Sequence, residues 1–411
     1  NKMKTFKQYF LTEGKIKPMT EFLTEDKRAT EFEKYIVIAY NGGFQKARNT
    51  YDVKEENYNE EKEIAENIAN DIRRKTKSPS GSMIHFGKGR GKMISWWEGN
   101  ATPKTDLYST AGIYISLKQK GGSQLMSGLV GETRSTFKAG QIYMDKYAPK
   151  EISYLITELE KVLIKITVQG NINTMTKAIK DKVIPDKVDA KTKSGKDKTI
   201  VIDKAKYEKE MQTMIDWKSR MKEINPVFIK FFEDNPEFKK WFTYEAATGD
   251  MKFKPDNISN ATWVVAFDPK TGKNNLIEKL AEGPDSPSAF LEKLSKKVGL
   301  RISPKTSTGS KVSAAGTSST SGAFRVDVRE ETFQSFMENE WSSFYDRMLL
   351  SEEQLDELKI VQSVKNWLSN LYKKLIVVIK ELAAKGIQAV SEFFEFEPTN
   401  VQTKGLSLFG Y

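Results

Sequence analysis

The hydrophobic period changes along residues 29–119, and that change constrains the fold more than any other feature of the chain. In "ATEFEKYIVIAYN", Ala29 to Asn41, the apolar density is that of a buried helix, and Gly42 and Gly43 supply its stop. "NEEKEIAENIANDIRRK" predicts a second helix, with acids early and bases late as the helix dipole prefers. The period then shortens. Short strands are expected around "MIHFG" and "MISWWEG". In "IYISLK" strict alternation puts Ile113, Ile115 and Leu117 on one face and Tyr114, Ser116 and Lys118 on the other. Helices that lead into strands predict an α/β or α+β chain.

Composition shifts divide the rest. Residues 1–28 read as an N-terminal leader, 29–180 as a folded core, 181–199 as a basic linker or loop, 200–330 as a second α+β region or completion of the core, and 331–411 as a helical C-terminal region. "ISYLITELEKVLIKITVQG" predicts another long helix, after which "DKVIPDKVDAKTKSGKDKT" loses apolar periodicity and gains lysine. The aromatic helices around "FIKFFEDNPEFKKWF" are expected to pack, and "YEAATGDMKF" and "ATWVVAFDPKTGK" to form strand and hairpin. The run "TSTGSKVSAAGTSSTSGA" offers too little apolar surface to order itself and is expected to be a mobile loop. Ser351 and Gln354 form a capping box before "LDELKIVQSV".

Absent residue types narrow the chemistry. The chain has no cysteine, so disulfides, thiolate metal sites and cysteine nucleophiles are excluded. His85 is the one histidine, which excludes every motif needing two. A hydrolase built from this chain works with carboxylates, lysine and a hard metal ion. Lys and Arg number 66 against 55 for Asp and Glu, a formal net charge of +11, which favours polyanionic partners. No apolar run approaches the roughly 18 residues that span a bilayer; "LIVVI", Leu375 to Ile379, lies between lysines and reads as a buried helix face.

One stretch, "KTDLYSTAGIYISLKQKGGSQLMSG", Lys104 to Gly128, gathers these tools. Turn signals in "GNATPKTD" lead to Asp106, and Ser116 and Lys118 share a strand face. A hairpin brings Asp106 beside both. The pattern resembles the PD-(D/E)XK nuclease superfamily, whose site is an Asp ending one strand and an acid-x-Lys on the next. The resemblance covers residues 29–136. It implies a restriction-endonuclease-like core, with a mixed sheet flanked by helices, and a large insertion or second domain. It further implies Asp106 as a ligand of Mg2+ (or Mn2+), Lys118 as the lysine that orients or activates water, and Gln124 as a helix glutamine following Gly121 and Gly122. Ser116 stands where the superfamily has an acid. The second carboxylate must therefore come from elsewhere: Glu33, on the helix before the first strand, is the first choice, Glu66 the second, and Glu132 in "GLVGETRST" the third.

The basic loop "GKGRGK" departs from a Walker loop in its glycine spacing and in Met93, and is either a phosphate-contacting loop or a solvated turn. Lys88, Arg90, Lys92, Lys104 and Lys120 are the candidate contacts to nucleic-acid backbone. Trp96 and Trp97 either stack on bases or join the core. His85 is expected to be structural. Glu245, Asp250 and Lys252 either complete a site from the second half or belong to a hairpin. The start "MKTFKQYFLTEG", too polar for a secretory signal, resembles the capsid-targeting peptide of tailed-phage internal head proteins, with cleavage expected after Glu13 or Glu25. Together these imply a phage-encoded, metal-dependent deoxyribonuclease of the host cytoplasm or virion interior, with DNA and virion proteins as partners and no membrane. The alternative is a non-catalytic virion or packaging protein that binds DNA through the same basic surface.

Overall fold

The two helices expected first in the chain form as α1 (Met19–Tyr40) and α3 (Glu55–Thr76), joined through the short α2 (Phe44–Ala47). Gly42 and Gly43 end α1 with φ of +92° and +102°, a region where a Cβ is strained. The structure is a computed structural model that describes residues 19–47, 51–77, 82–87, 89–119, 123–145, 149–254, 257–306, 311–329, 332–333 and 335–336, with side chains of α1 from residue 30. These belong to one compact unit, Asn1–Met337. The leader peptide with its expected cleavage after Glu13 or Glu25, the capping box at Ser351 and the "LIVVI" face lie outside the described residues or their described side chains.

After α3 come β1 (Met83–His85), β2 (Leu107–Ser109), β3 (Tyr114–Gln119), β4 (Ser123–Gly128), α4 (Val130–Tyr143) and α5 (Glu151–Val162). Next are β5 (Lys165–Gln169), α6 (Ile172–Asp181), β6 (Lys187–Thr192), β7 (Asp197–Val201), α7 (Lys204–Asp234) and α8 (Pro236–Thr248). The described part closes with β8 (Trp263–Phe267), β9 (Leu276–Lys279), β10 (Ala281–Gly283), β11 (Ser286–Pro287), α9 (Ala289–Lys297), β12 (Gly299–Thr306), β13 (Lys311–Val312) and β14 (Thr317–Val328).

The main sheet runs β1-β2-β3-β8-β9. Its first three strands form an antiparallel meander, whereas β8 joins β3 in parallel, Ile115 opposite Trp263 and Lys118 opposite Ala266. Parallel pairing needs a crossover that leaves one end of the sheet and returns to the other. Here everything from β4 to α8 lies within that crossover. On one face Ile115, Leu117, Val265, Phe267 and Ile277 pack with Ile36 of α1 and Ile68 and Ile72 of α3. On the other Val264, Ala266 and Leu276 share a core with Tyr244, Ala246 and Ala247 of α8. The result is a mixed sheet between two helical layers, the arrangement that buries both faces.

A second sheet hangs on the long β14. Its first half pairs with β5, its second half with β4, and β12 covers its other edge. The aromatic helices pack as expected: the ring of Phe137 in α4 lies 4.9 to 6.5 Å from those of Phe228, Phe231, Phe232, Phe238, Phe242 and Phe324.

Five segments differ from expectation. "MISWWEG" contains no strand; Ile94 N–H instead donates to the carbonyl of Lys252. The expected long helix from Ile152 stops at Val162, and the β-branched run "KITVQ" continues as β5. The basic stretch 181–199 carries a hairpin, β6 with β7, because Val188 fills the core while lysines alternate outward. "YEAATGDMKF" begins as the last turn of α8 and ends in a tight turn after Gly249. Within the serine- and threonine-rich run, whose residues 307–310 lie outside the described ones, 311–312 form β13 and 317–323 the first part of β14, with Ser318, Thr320 and Gly322 facing inward. Gly322 is required there, since a Cβ would stand 2.1 Å from the Val162 carbonyl oxygen.

Candidate active site

Asp106 precedes β2 and is held between the strands on both sides. Its N–H donates to the Ile115 carbonyl (2.8 Å), and its carbonyl accepts from Phe86 N–H (2.9 Å). The side chain turns toward β3, where Oδ2 accepts the Leu117 N–H at 2.7 Å and the Ser116 hydroxyl at 3.4 Å. Oδ1 makes no hydrogen bond with a described residue. The meander thus brings Asp106 beside Ser116, as the alternation predicts. Lys118, two residues on along the same face and partly exposed, is close enough for its charge to act on Asp106.

Glu33 of α1 is near enough for its charge to act on Asp106. Its Oε2 lies 2.8 Å from Nε2 of His85, the last residue of β1, which stands opposite Leu107 in the register. Burial pushes the Asp106 carboxyl up to about 6, against the pull of Lys118; Glu33 raises it further, while the Leu117 N–H and His85 favour the ionised form. An acid held that high is tuned to lose its proton near neutrality. Perturbed groups of this kind cluster at functional sites.

Other expected positions go elsewhere. Gln124 is not on a helix: it lies in β4, exposed, paired with Asp327 of β14, because "SQLMSG" alternates and extends the second sheet. Glu66 sits on α3 with Lys62 at 3.8 Å and acts on Tyr58 rather than on Asp106. Glu132 is buried in α4 and pairs with Lys252 at 3.1 Å. Lys104, expected to contact nucleic-acid backbone, turns inward, and its amine donates to the Leu125 carbonyl at 3.1 Å. Burial pushes that amine down to about 8, against the pull of Glu132 and reinforced by Lys252 and Lys118. Arg90 and Lys92 are exposed, whereas Lys88 and Lys120 lie outside the described residues. Trp97 is buried, and Trp96 is partly buried beneath the Lys138 amine.

Glu245, Asp250 and Lys252 do not join Asp106. Glu245 is buried and accepts from Met251 N–H, Lys252 N–H and the Tyr143 hydroxyl, fixing the turn after α8. Asp250 accepts from the Tyr244 hydroxyl and Asp285 N–H. His85, expected to be structural, ends β1 with its side chain largely buried and its Nε2 2.8 Å from Glu33 Oε2.

Among the described residues no three His, Asp or Glu side chains are gathered as a ready metal cage. Magnesium does not require one, since it takes one or two carboxylates and keeps several waters. Asp106 and Glu33 are the two carboxylates that the sequence puts forward for that role. No helix of the described residues is long and apolar enough to cross a membrane. No family model, curated protein or solved structure matches this chain.

Proposed function

We propose that this chain is a metal-dependent nuclease of the PD-(D/E)XK type, hydrolysing phosphodiester bonds of DNA. The observation that supports the reading is Asp106 held against Ser116 and Leu117 of β3, the strand that carries Lys118, with the charges of Lys118 and Glu33 acting on it. The acid comes from the helical layer before the first strand, and the sheet is mixed and flanked by helices, as the resemblance implies. A bound Mg2+ or Mn2+ supplies charge neutralisation at the phosphoryl oxygens and an acidified water. Asp106 and Glu33 would hold the ion. Ser116 and the Leu117 N–H fix the Asp106 carboxylate, and Lys118 directs its amine at the nucleophile or the developing negative charge.

The β6–β7 hairpin would hold the backbone of the substrate. Lys187, Lys191, Lys193 and Lys196 are exposed, and Lys191 neighbours Lys311 of β13 in register. Replacing these four hairpin lysines by Ala is expected to weaken DNA retention and to flatten its salt dependence, the log–log slope falling by about 0.9 for each phosphate no longer neutralised. Salt titrations of the quadruple variant and wild type on one duplex check this, and an unchanged slope removes the hairpin from the interface.

The nuclease reading is tested on supercoiled, linear and single-stranded DNA with magnesium, manganese or chelator. Cutting that needs the cation supports it; inert DNA under every condition defeats it. Ser116 in place of an acid supports a second reading, a non-catalytic virion or packaging protein that only binds DNA. Salt-sensitive binding with no response to divalent cations would favour that one. Phage origin, and a place in the host cytoplasm or virion interior beside capsid proteins, belong to this proposal and rest on the leader's resemblance.

A further inference from the structure

We propose that the cavity bounded by α7, α9 and the β12–β14 ladder is a nucleotide-binding site, which takes the phosphate on the cations of its rim and the base on its apolar floor. Asp106, Ser116 and Lys118 take no part in it, so it holds whether or not they are catalytic.

The chain turns from α9 to β12 without a loop, through Val298 alone. β12 then pairs with the end of β14, Gly299 opposite Asp327 and Leu300 opposite Val326. This corner, α7 and the start of α8 enclose a cavity of about 670 Å3, within the range of roughly 300 to 1,000 Å3 that small-molecule sites occupy. Phe232, Val298, Leu300 and Val328 are its buried lining. Lys296, Arg301, Arg329 and Gln124 are its exposed rim, and Lys239 is half-buried between the two.

Charge selects the ligand. Four cations line the cavity against two acids, Glu233 and Asp327. Asp327 is already engaged by Arg301, whose Nε lies 2.6 Å from Oδ2, and Glu233 is exposed. The terminal nitrogens of Arg301 and the side chain of Arg329 make no hydrogen bond or ion pair with a described residue. Guanidinium groups left open in this way match phosphate oxygens two at a time. The Lys239 amine donates to the Lys296 carbonyl at 3.4 Å, and burial pushes it down against the pull of Glu233. A bound anion would supply the stabilisation that water no longer gives it.

The rest of the lining selects the body of the ligand. Inorganic phosphate leaves the apolar floor uncovered, and a fatty acid brings one charge to four cations. The Gln124 side-chain amide makes no hydrogen bond with a described residue, and such an amide matches the donor and acceptor edge of adenine. A nucleotide satisfies floor, amide and rim together. Its source is either a free nucleotide or the 5′-phosphorylated end of a DNA strand.

The experiment titrates the full chain calorimetrically with dAMP, dTMP, deoxyadenosine, inorganic phosphate, and one oligonucleotide with and without a 5′-phosphate. dAMP is expected to bind at least about tenfold more tightly than deoxyadenosine or inorganic phosphate. Arg329→Ala and Lys296→Ala, both at exposed positions, should each weaken dAMP by about tenfold, and Gln124→Ala should erase any preference for dAMP over dTMP. In the unaltered protein the methyl resonances of Leu300 and Val328 should shift with dAMP, a reading that needs no variant to fold. An oligonucleotide that binds more tightly than dAMP, and only when phosphorylated, assigns the site to strand ends; otherwise the free nucleotide is the ligand. No heat and no methyl shift at millimolar dAMP overturns the proposal. So does inorganic phosphate binding as tightly as dAMP, or an affinity for dAMP that both cation variants leave unchanged. None of these results depends on whether the protein cuts DNA.

Discussion

Asp106→Asn is expected to lower metal-dependent cleavage by at least about 100-fold while raising the stability of the metal-free protein at pH 7 to 8. The first effect follows from losing the carboxylate that faces Lys118. The second follows from linkage. Burial pushes the folded-state carboxyl from its usual range up to about 6, so between the unfolded value near 4 and about 6 the native state binds more protons than the unfolded one. Stability from this group is then full below about 4 and lost as pH rises through about 6. At neutral pH the ionised Asp106 costs roughly 3 kcal/mol at most, and asparagine, which still accepts the Leu117 N–H, removes that cost. Melting curves in chelator at pH 4 and pH 8 check this: the variant should gain on wild type at pH 8 and lose that gain at pH 4. A variant less stable at pH 8 would mean that Asp106 serves the fold alone.

Lys252→Met should destabilise the protein by about 3 to 5 kcal/mol, since it strands a buried carboxylate. Lys252 is 1% exposed and Glu132 is 7% exposed; the Lys252 amine lies 3.1 Å from Glu132 Oε1 and over the rings of Phe253 and Trp97. Burial opposes the charge on Glu132, but Lys104 and Lys252 outweigh it and hold its carboxyl below the ordinary range. With Lys252 gone, Lys104, whose own amine is desolvated, and Lys305 are left to act on that acid. Pairing Lys252→Met with Glu132→Gln removes both charges and should recover much of the loss. Urea unfolding of the two variants checks the prediction; a single variant as stable as the double would show that the pair is not what buries these charges.

The local pattern around Asp106 was legible because it depends on short-range rules. Alternation in "IYISLK" fixes which side chains share a face, and two glycines after an apolar run end α1. The Glu33–His85 contact was not legible, since nothing in helical periodicity says which strand end a helix will meet. Gln124 was misread because glycine pairs precede strands as readily as helices, and pairing with β14, some 200 residues away, decides between them. The same holds for the serine- and threonine-rich run. Its residues 317–323 become strand because β5 and β12 supply partners, and local composition cannot register those partners. Lys104 looked like a surface lysine, and the carbonyl and carboxylate it turns toward come from β4 and α4.

The most direct test of the nuclease site is plasmid cleavage by wild type, Asp106→Asn and Lys118→Ala, each in magnesium and in chelator, with DNA retention measured alongside. Wild type is expected to cut only with magnesium, both variants to lose cutting, and all three to retain DNA equally. Cutting that survives in either variant, or an inert wild type that still retains DNA, would contradict the assignment of Asp106 and Lys118 as an active site.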